Sequence, residues 1–533
     1  MKRLQTIGND YDQHITQMSA LLANVWPLLH KFESLVKLDQ LLAKLATIKT
    51  IHNTLETNVI NNLLLPIDVM LTPIKKRFNY HFMETKSKLN RLEKPEWYLS
   101  QTLVWIRQNE GFLSEVIDPL LKDHSYEHQL IPSKFQLISG LLKCLTIKLK
   151  HDLPSLVFDD KLFTHTVDEV LVFSRELLDI EPNIFEIYAN CNLMNVFSCE
   201  PFFTRIITLE KKKSAEFMEF IVESKSAWNE MCGPEGMDEL MICECGDNFV
   251  LMLQSITNRC SLFTSESLKY SFVKLQLEIL DDFRLRLIQL IHTSDQSWPY
   301  SQQYFAIINT FNYLIVVLNE WKILPFFVQI SETYSPNETV FDPIIGLFQH
   351  VLNEFISQIK NSFISEFRSQ LQTYQSIKWF CLKSMDNCLS SSASQVLHFV
   401  SANLVSLQKS LSNSLFDIIL HEMADQINAI LLEDVVQKNT FNEFGAKQMD
   451  YDISVGFLSL FRLYISRPKP HFASLTEALK LLNLERGTYL LLKDILSHSD
   501  NNTDSKVALK EMHISTLSPH LALNILNKRI YEK

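Results

Sequence analysis

A chain of 533 residues, 46% hydrophobic and 21% charged, is too apolar to be disordered over most of its length and too long for a single core. A formal net charge of −11, with a pI near 5.8, argues against a sequence-independent binder of nucleic-acid phosphates. With 10 glycines and 17 prolines, positive-φ turns must be few, which disfavours all-β folds and glycine-looped nucleotide-binding folds and leaves long helices joined by short or polar connections.

The first sixty residues carry a heptad-like stripe, Ile15, Met18, Leu22, Val25, Leu29, Phe32 and Val36, whose alternating spacing of three and four keeps one seam of a helix apolar. Leu38, Leu41, Leu45 and Ile48 continue it in a shifted register, and Pro27 kinks the helix or starts a new one. A lone helix cannot bury such a seam. Its partner is either a later helix of this chain or another protein, and these seven residues are the candidate partner-binding set.

Loop signals follow at Leu65-Pro66, Thr72-Pro73, Asp123 to Ser133, Cys232 to Gly236, Thr293 to Ser301, Ser331 to Pro343, Asp386 to Ser394 and Ser466 to Pro470. The basic run Lys211-Lys212-Lys213 is expected on a solvated helix face. Phe305 to Ile330 is the most apolar stretch, but Asn309, Asn312, Asn319, Glu320, Lys322 and Pro325 interrupt it, so a buried helical hairpin is expected rather than a membrane span. Phe348, Leu352, Phe355, Ile359, Phe363, Phe367, Leu371 and Tyr374 predict one long amphipathic helix. Ser474 to Glu477 forms a capping box, with Gly487 as the stop for that helix. No internal repeat of consistent spacing supports a solenoid.

Catalytic and cofactor motifs are missing or incomplete. No Gly-rich phosphate loop and no G-x-S-x-G elbow occurs. His421-Glu422-Met423-Ala424-Asp425 begins like a zinc-protease helix but has Asp where the second His is needed. His124 and His128 have ligand spacing without a third ligand, and Cys232, Cys243 and Cys245 lack the paired Cys-x-x-Cys or His partners of a zinc site. Nine cysteines, an odd number, are expected to be reduced thiols rather than a disulfide framework. Asp500 to Glu511 matches a calcium EF-hand loop at positions one, three, five, eight and twelve, yet has Ser505 where the turn wants Gly and no second loop to pair with. It stands as a remote calcium-binding alternative. No catalytic residue, cofactor or metal site is assigned, and an enzyme is not expected.

Certain strings are more distinctive than any pattern. Leu65-Pro66-Ile67-Asp68-Val69-Met70-Leu71-Thr72-Pro73 precedes Arg77-Phe78-Asn79-Tyr80-His81-Phe82 and Lys94-Pro95-Glu96-Trp97-Tyr98. Phe158-Asp159-Asp160, Val167 to Val170, Asp281 to Leu287, Phe441-Asn442-Glu443 with Gly445-Ala446, Arg467-Pro468, Leu482-Asn483-Leu484 and Leu490 to Asp494 follow in order. From about residue 60 to 533 the chain resembles the RINT/TIP family, the Rad-fifty-interactor proteins of animals and their yeast TIP-twenty relatives.

The resemblance implies an all-α fold, an elongated rod of stacked helical bundles like other tethering subunits of the CATCHR class. It implies a non-enzymatic subunit of the NRZ/Dsl complex at the endoplasmic reticulum, acting in Golgi-to-ER retrograde transport. The partners implied are a ZW-ten/Dsl-type subunit, a NAG/Sec-thirty-nine-type subunit and ER SNAREs, with no nucleic acid. A cytoplasmic, peripheral location on the ER is implied, with membrane contact only through partners. A checkpoint or scaffold role linked to Rad-fifty is the alternative. The expected organisation is 1–60 as N-terminal helices, 61–292 as the bundles carrying the family-like strings, 293–393 as a central bundle and 394–533 as a C-terminal bundle. Family members usually have a longer region before the Leu65 segment, so the Ile15-to-Val36 seam is expected to be either the stump of a shortened partner-binding coil or an inner bundle helix.

Overall fold

The computed structural model describes residues 65–119, 132–187, 192–231, 239–293, 298–385, 387–498 and 502–531. The Ile15-to-Val36 seam lies outside these residues. Among the described residues the secondary structure is helical, with two isolated β-bridges, Glu230 to Cys243 and Phe441 to Arg529. The chain divides into two units, one of residues 1–217 and 252–279, the other of residues 218–251 and 280–533.

The first unit contains α1 (Leu65–Phe78), α2 (Pro95–Phe112), α3 (Ser133–Leu156) and α4 (Asp160–Ile180), with the first part of α5 (Phe202–Glu223). It also takes the later part of α6 (Glu244–Cys260) and the first part of α7 (Glu266–Thr293). In α3 the buried residues Ile138, Leu141, Leu142, Leu145, Leu149, Leu153 and Leu156 recur at steps of three and four, as one helix face requires. The family-like strings near the start converge: Phe78, Phe82 and Tyr98 form one aromatic cluster with ring centroids 5.3 to 6.5 Å apart. Beside it the Lys148 ammonium is buried between Asp152 (2.8 Å) and the Asn90 side-chain carbonyl (2.7 Å). Lys211, Lys212 and Lys213 are all exposed on α5, as their run in the sequence implies.

Pro66 and Pro73 do not mark loops, because both lie within α1. Pro66 is the second residue, where a missing N–H costs nothing. Pro73 removes one hydrogen bond from the helix interior, and the buried face of Ile67, Met70, Leu71, Ile74 and Phe78 offsets that loss.

The second unit contains α8 (Gln302–Trp321), α9 (Pro325–Tyr334), α10 (Asp342–Gln375), α11 (Ser391–Ser410), α12 (Asn413–Ile430) and α13 (Glu443–Tyr451). It ends in α14 (Ala473–Leu482), α15 (Arg486–His498), α16 (Asn502–Glu511) and α17 (Pro519–Leu526). All eight residues of the long periodic stripe are buried along α10. Phe348 and Phe355 meet Phe311 of α8, and Phe363 stacks on Phe399 of α11 at 5.6 Å. Each such side chain contributes roughly 1.5–3 kcal/mol by leaving water.

The apolar stretch from Phe305 to Ile330 is helical but not a hairpin: α8 and α9 meet at a bend of 80°. Pro325 opens α9, and the turn before it leaves Ile323 72% exposed. No single helix among the described residues is long and apolar enough to cross a membrane.

The Ser474 capping box does not form. Ser474 lies inside α14, where its hydroxyl pairs with the Asn428 side chain at 2.8 Å. Glu477 instead accepts from the Ser515, Thr516 and Leu517 amides, so it organises the turn before α17. Gly487 is no stop either, being the second residue of α15. Local spacing satisfies the box, but tertiary partners outcompete it.

Candidate partner-binding surface

The seven seam residues lie outside the described residues, so the surfaces on view are elsewhere. Among the described residues no group of three or more His, Cys, Asp or Glu side chains could hold a metal ion. Residues 502–511 of the calcium-loop string form α16 rather than the loop from which an EF-hand chelates its ion. Cys243 and Cys245 are buried thiols, and burial pushes both upward, away from the thiolate that binds metal or attacks carbon. His124, His128 and Cys232 lie outside the described residues.

His421 and Asp425 do acquire a third member that spacing could not supply. His471, from the Arg467-Pro468 turn, places Nε2 2.9 Å from His421 Nδ1 and Nδ1 2.8 Å from Asp425 Oδ1. The three groups satisfy one another and tie that turn to α12.

A concavity with a polar wall lies in the second unit, beside the N-terminus of α11. It has a volume of about 370 Å³ and is lined by Thr373, Ile377, Trp379, Leu382, Ser384, Ser390 to Ser392, Gln395 and Gln448. Its construction begins with Phe441-Asn442-Glu443 and Gly445-Ala446. Asn442 caps α13 by accepting from the Gly445 amide at 2.8 Å, while its Nδ2 donates to the Leu382 carbonyl at 2.6 Å. Gly445 is needed because a Cβ there would lie 2.1 Å from the Trp379 carbonyl oxygen. With α13 seated this closely, the Trp379 ring packs edge-on to Tyr374 and against Phe441.

Directly after α13 the backbone widens into a π-helical turn, Asp452–Phe457. That turn buries Asp452, whose carboxylate accepts from the Ser390 amide (3.0 Å) and hydroxyl (2.8 Å), Tyr374 Oη (3.2 Å) and Gln448 Nε2 (3.1 Å). Asp452 therefore fixes the first turn of α11 from inside. Trp379 lines the cavity, and its buried Nε1 has no hydrogen-bond partner.

Apolar side chains are exposed elsewhere. Phe158 is 86% exposed just before α4, and Leu490 and Leu491 project from α15. Single exposed apolar residues are common on protein surfaces, so none of these alone defines a site.

Comparison with known proteins gives this architecture a relation. The profile of the RINT-1/TIP-1 family matches residues 65–529. The chain belongs to the RINT-1/TIP-1 family. Within it, a RINT1-like protein of Drosophila melanogaster is 28% identical over 477 residues, covering 87% of this chain and 64% of its own length. The RINT1-like protein MAG2 of Arabidopsis thaliana is 22% identical over 240 residues, 42% of this chain and 29% of its own. The chain thus spans less than two thirds of either curated relative. Among solved structures, the Dsl1 complex subunit Tip20, in a crystal structure with the SNARE Sec20 bound, matches with a TM-score of 0.71 and 14% identity. That match covers 98% of this chain and 90% of the other, and at such identity it is a likeness of fold.

Proposed function

We propose that this protein is a non-enzymatic subunit of a vesicle-tethering complex, peripheral on the endoplasmic reticulum and acting in Golgi-to-ER retrograde transport. The observation that carries this reading is the family match from residue 65 to 529, and the Tip20-like fold supports it. Its mechanism is binding: packed helices hold partner-contacting surfaces in place. The partners are ZW-ten/Dsl-type and NAG/Sec-thirty-nine-type subunits and ER SNAREs. The region from Ser394 onward and the Ile15-to-Val36 seam are the partner-binding ends, with the bundles between them acting as spacer.

Affinity purification of the tagged chain from cells with an intact ER, followed by mass spectrometry, tests the reading. Recovery of ER SNAREs with the two other subunit types is expected. A clean purification that lacks all of them rejects it. Truncation after Ala393 is expected to lose the SNAREs, and full retention contradicts their assignment to the C-terminal region.

A further inference from the structure

The cavity beside α11 is rich in hydrogen-bond donors, and the protein does not use all of them. At the helix start the Ser390 amide goes to Asp452, the Ala393 amide to Ser390 Oγ and the Ser394 amide to the Ser390 carbonyl. The amides of Ser391 and Ser392 are then the donors that the first turn of this 20-residue helix presents outward. Hydroxyls of Thr373, Ser384, Ser391 and Ser392 line the same wall. The independent observation is Trp379, a lining residue whose buried indole N–H has no partner. Buried donors are normally satisfied, because one left unmade has lost its water and gained nothing in exchange. An acceptor from outside the chain would relieve that cost.

The charge of that acceptor follows from the surroundings. Asp452 is buried, and its two oxygens are engaged by four donors, so it does not compete for the indole or for the Ser391 and Ser392 amides. The N-terminus of α11 favours negative charge. Lys378 and Lys383, both exposed, are chain neighbours of the lining residues Ile377, Trp379, Leu382 and Ser384 and bring positive charge to this segment. Ile377 and Leu382 give the wall an apolar part that a free inorganic anion would not use but a peptide would.

We propose that this cavity docks an acidic segment of a partner protein, with an Asp or Glu carboxylate seated at the start of α11 and within reach of the Trp379 indole. The proposal stands on the cavity itself and does not depend on the tethering reading.

The test is fluorescence anisotropy of the full chain at low salt with a short fluorescein-labelled peptide alternating Glu and Leu, alongside its Gln-for-Glu counterpart. The Glu peptide is expected to bind and the Gln peptide not to. Trp379→Phe, which keeps an aromatic ring but removes the N–H, is expected to weaken binding about tenfold. Lys378→Glu with Lys383→Glu is expected to abolish it, and inorganic phosphate is expected not to displace the peptide. The proposal is overturned if the wild-type chain does not bind, if both peptides bind alike, if phosphate displaces the peptide, or if the lysine reversal leaves binding unchanged. Thermal melting establishes that Trp379→Phe is folded; if it is not, the exposed lysine pair decides the outcome alone.

Discussion

Gly445→Ala is expected to loosen the wall of the cavity and destabilise the second unit. The added Cβ would lie 2.1 Å from the Trp379 carbonyl oxygen and 2.9 Å from its carbonyl carbon, more than about 1 Å inside comfortable contact for the oxygen. Neither neighbour is a flexible side-chain end. Trp379 is held by the hydrogen bond its amide N–H donates to the Ile377 carbonyl at 3.0 Å and by its ring between Tyr374 and Phe441, so α13 has to move instead. Moving it stretches the Asn442 cap and the Asn442 bond to Leu382. Overpacking costs about 1–3 kcal/mol and a weakened cap about 1, offset by about 0.5–1 for replacing Gly by Ala in a helix. The net loss is roughly 1–3.5 kcal/mol, read as a fall in urea midpoint by circular dichroism. Gly346→Ala is the control: that glycine is exposed on α10 with nothing within 4 Å of a Cβ, so the change should stabilise by about 0.5–1 kcal/mol. If both substitutions shift the midpoint the same way, the close approach of α13 to Trp379 is refuted.

Three further outcomes are expected. Burial raises the Glu477 carboxyl, but bonds from the Thr516 hydroxyl and the 515–517 amides outweigh it and hold the group below the ordinary glutamate range. Its contribution is therefore complete above the unfolded-state pKa and lost as pH falls through the lower folded value. Glu477→Gln should cost about 1.5–3 kcal/mol near neutrality and progressively less in acid, and a difference in melting temperature that does not shrink with falling pH would count against this. Lys148→Met strips the buried Asp152 carboxylate of its ammonium partner and should cost about 3–5 kcal/mol, whereas Lys148→Met with Asp152→Leu should cost less; a double variant as unstable as the sum of its singles would show that the pair is not coupled. Calcium should leave the melting temperature unchanged, since residues 502–511 are helical, and a rise on adding calcium would contradict that assignment.

Long periodic segments are the legible part of the fold. The stripe from Phe348 to Tyr374 carries its own evidence, because a helix of that length repeats its apolar face many times. Local signals fail where a tertiary contact can take the same atoms. Ser474 and Glu477 have the spacing of a capping box, but Asn428 and the amides of residues 515–517 offer them partners some 40 residues away. Pro66 and Pro73 mislead for another reason. A proline marks a break only where the missing N–H matters: at the start of α1 it does not, and further in, the packed face of the helix outweighs it.

The cavity beside α11 is illegible in the sequence because no part of it is local. Tyr374 meets Asp452 across 78 residues, Ser390 meets it across 62 and Asn442 meets Leu382 across 60. Trp379 gives no sequence signal, since nothing in a lone tryptophan says whether its N–H will find a partner. One string is nonetheless informative. Phe441-Asn442-Glu443 followed by Gly445-Ala446 looks arbitrary as chemistry, but its members divide the packing between them. Phe441 lies against Trp379, and Asn442 is both cap and tie to Leu382. Gly445 is the only residue small enough to sit against the Trp379 carbonyl, and Ala446 is buried beside Asn483. Strings of this kind identify a family through how its helices are joined. Those junctions also shape the surface: Phe441, Asn442 and Gly445 do not line the cavity themselves, but they hold Trp379 and Leu382, which do.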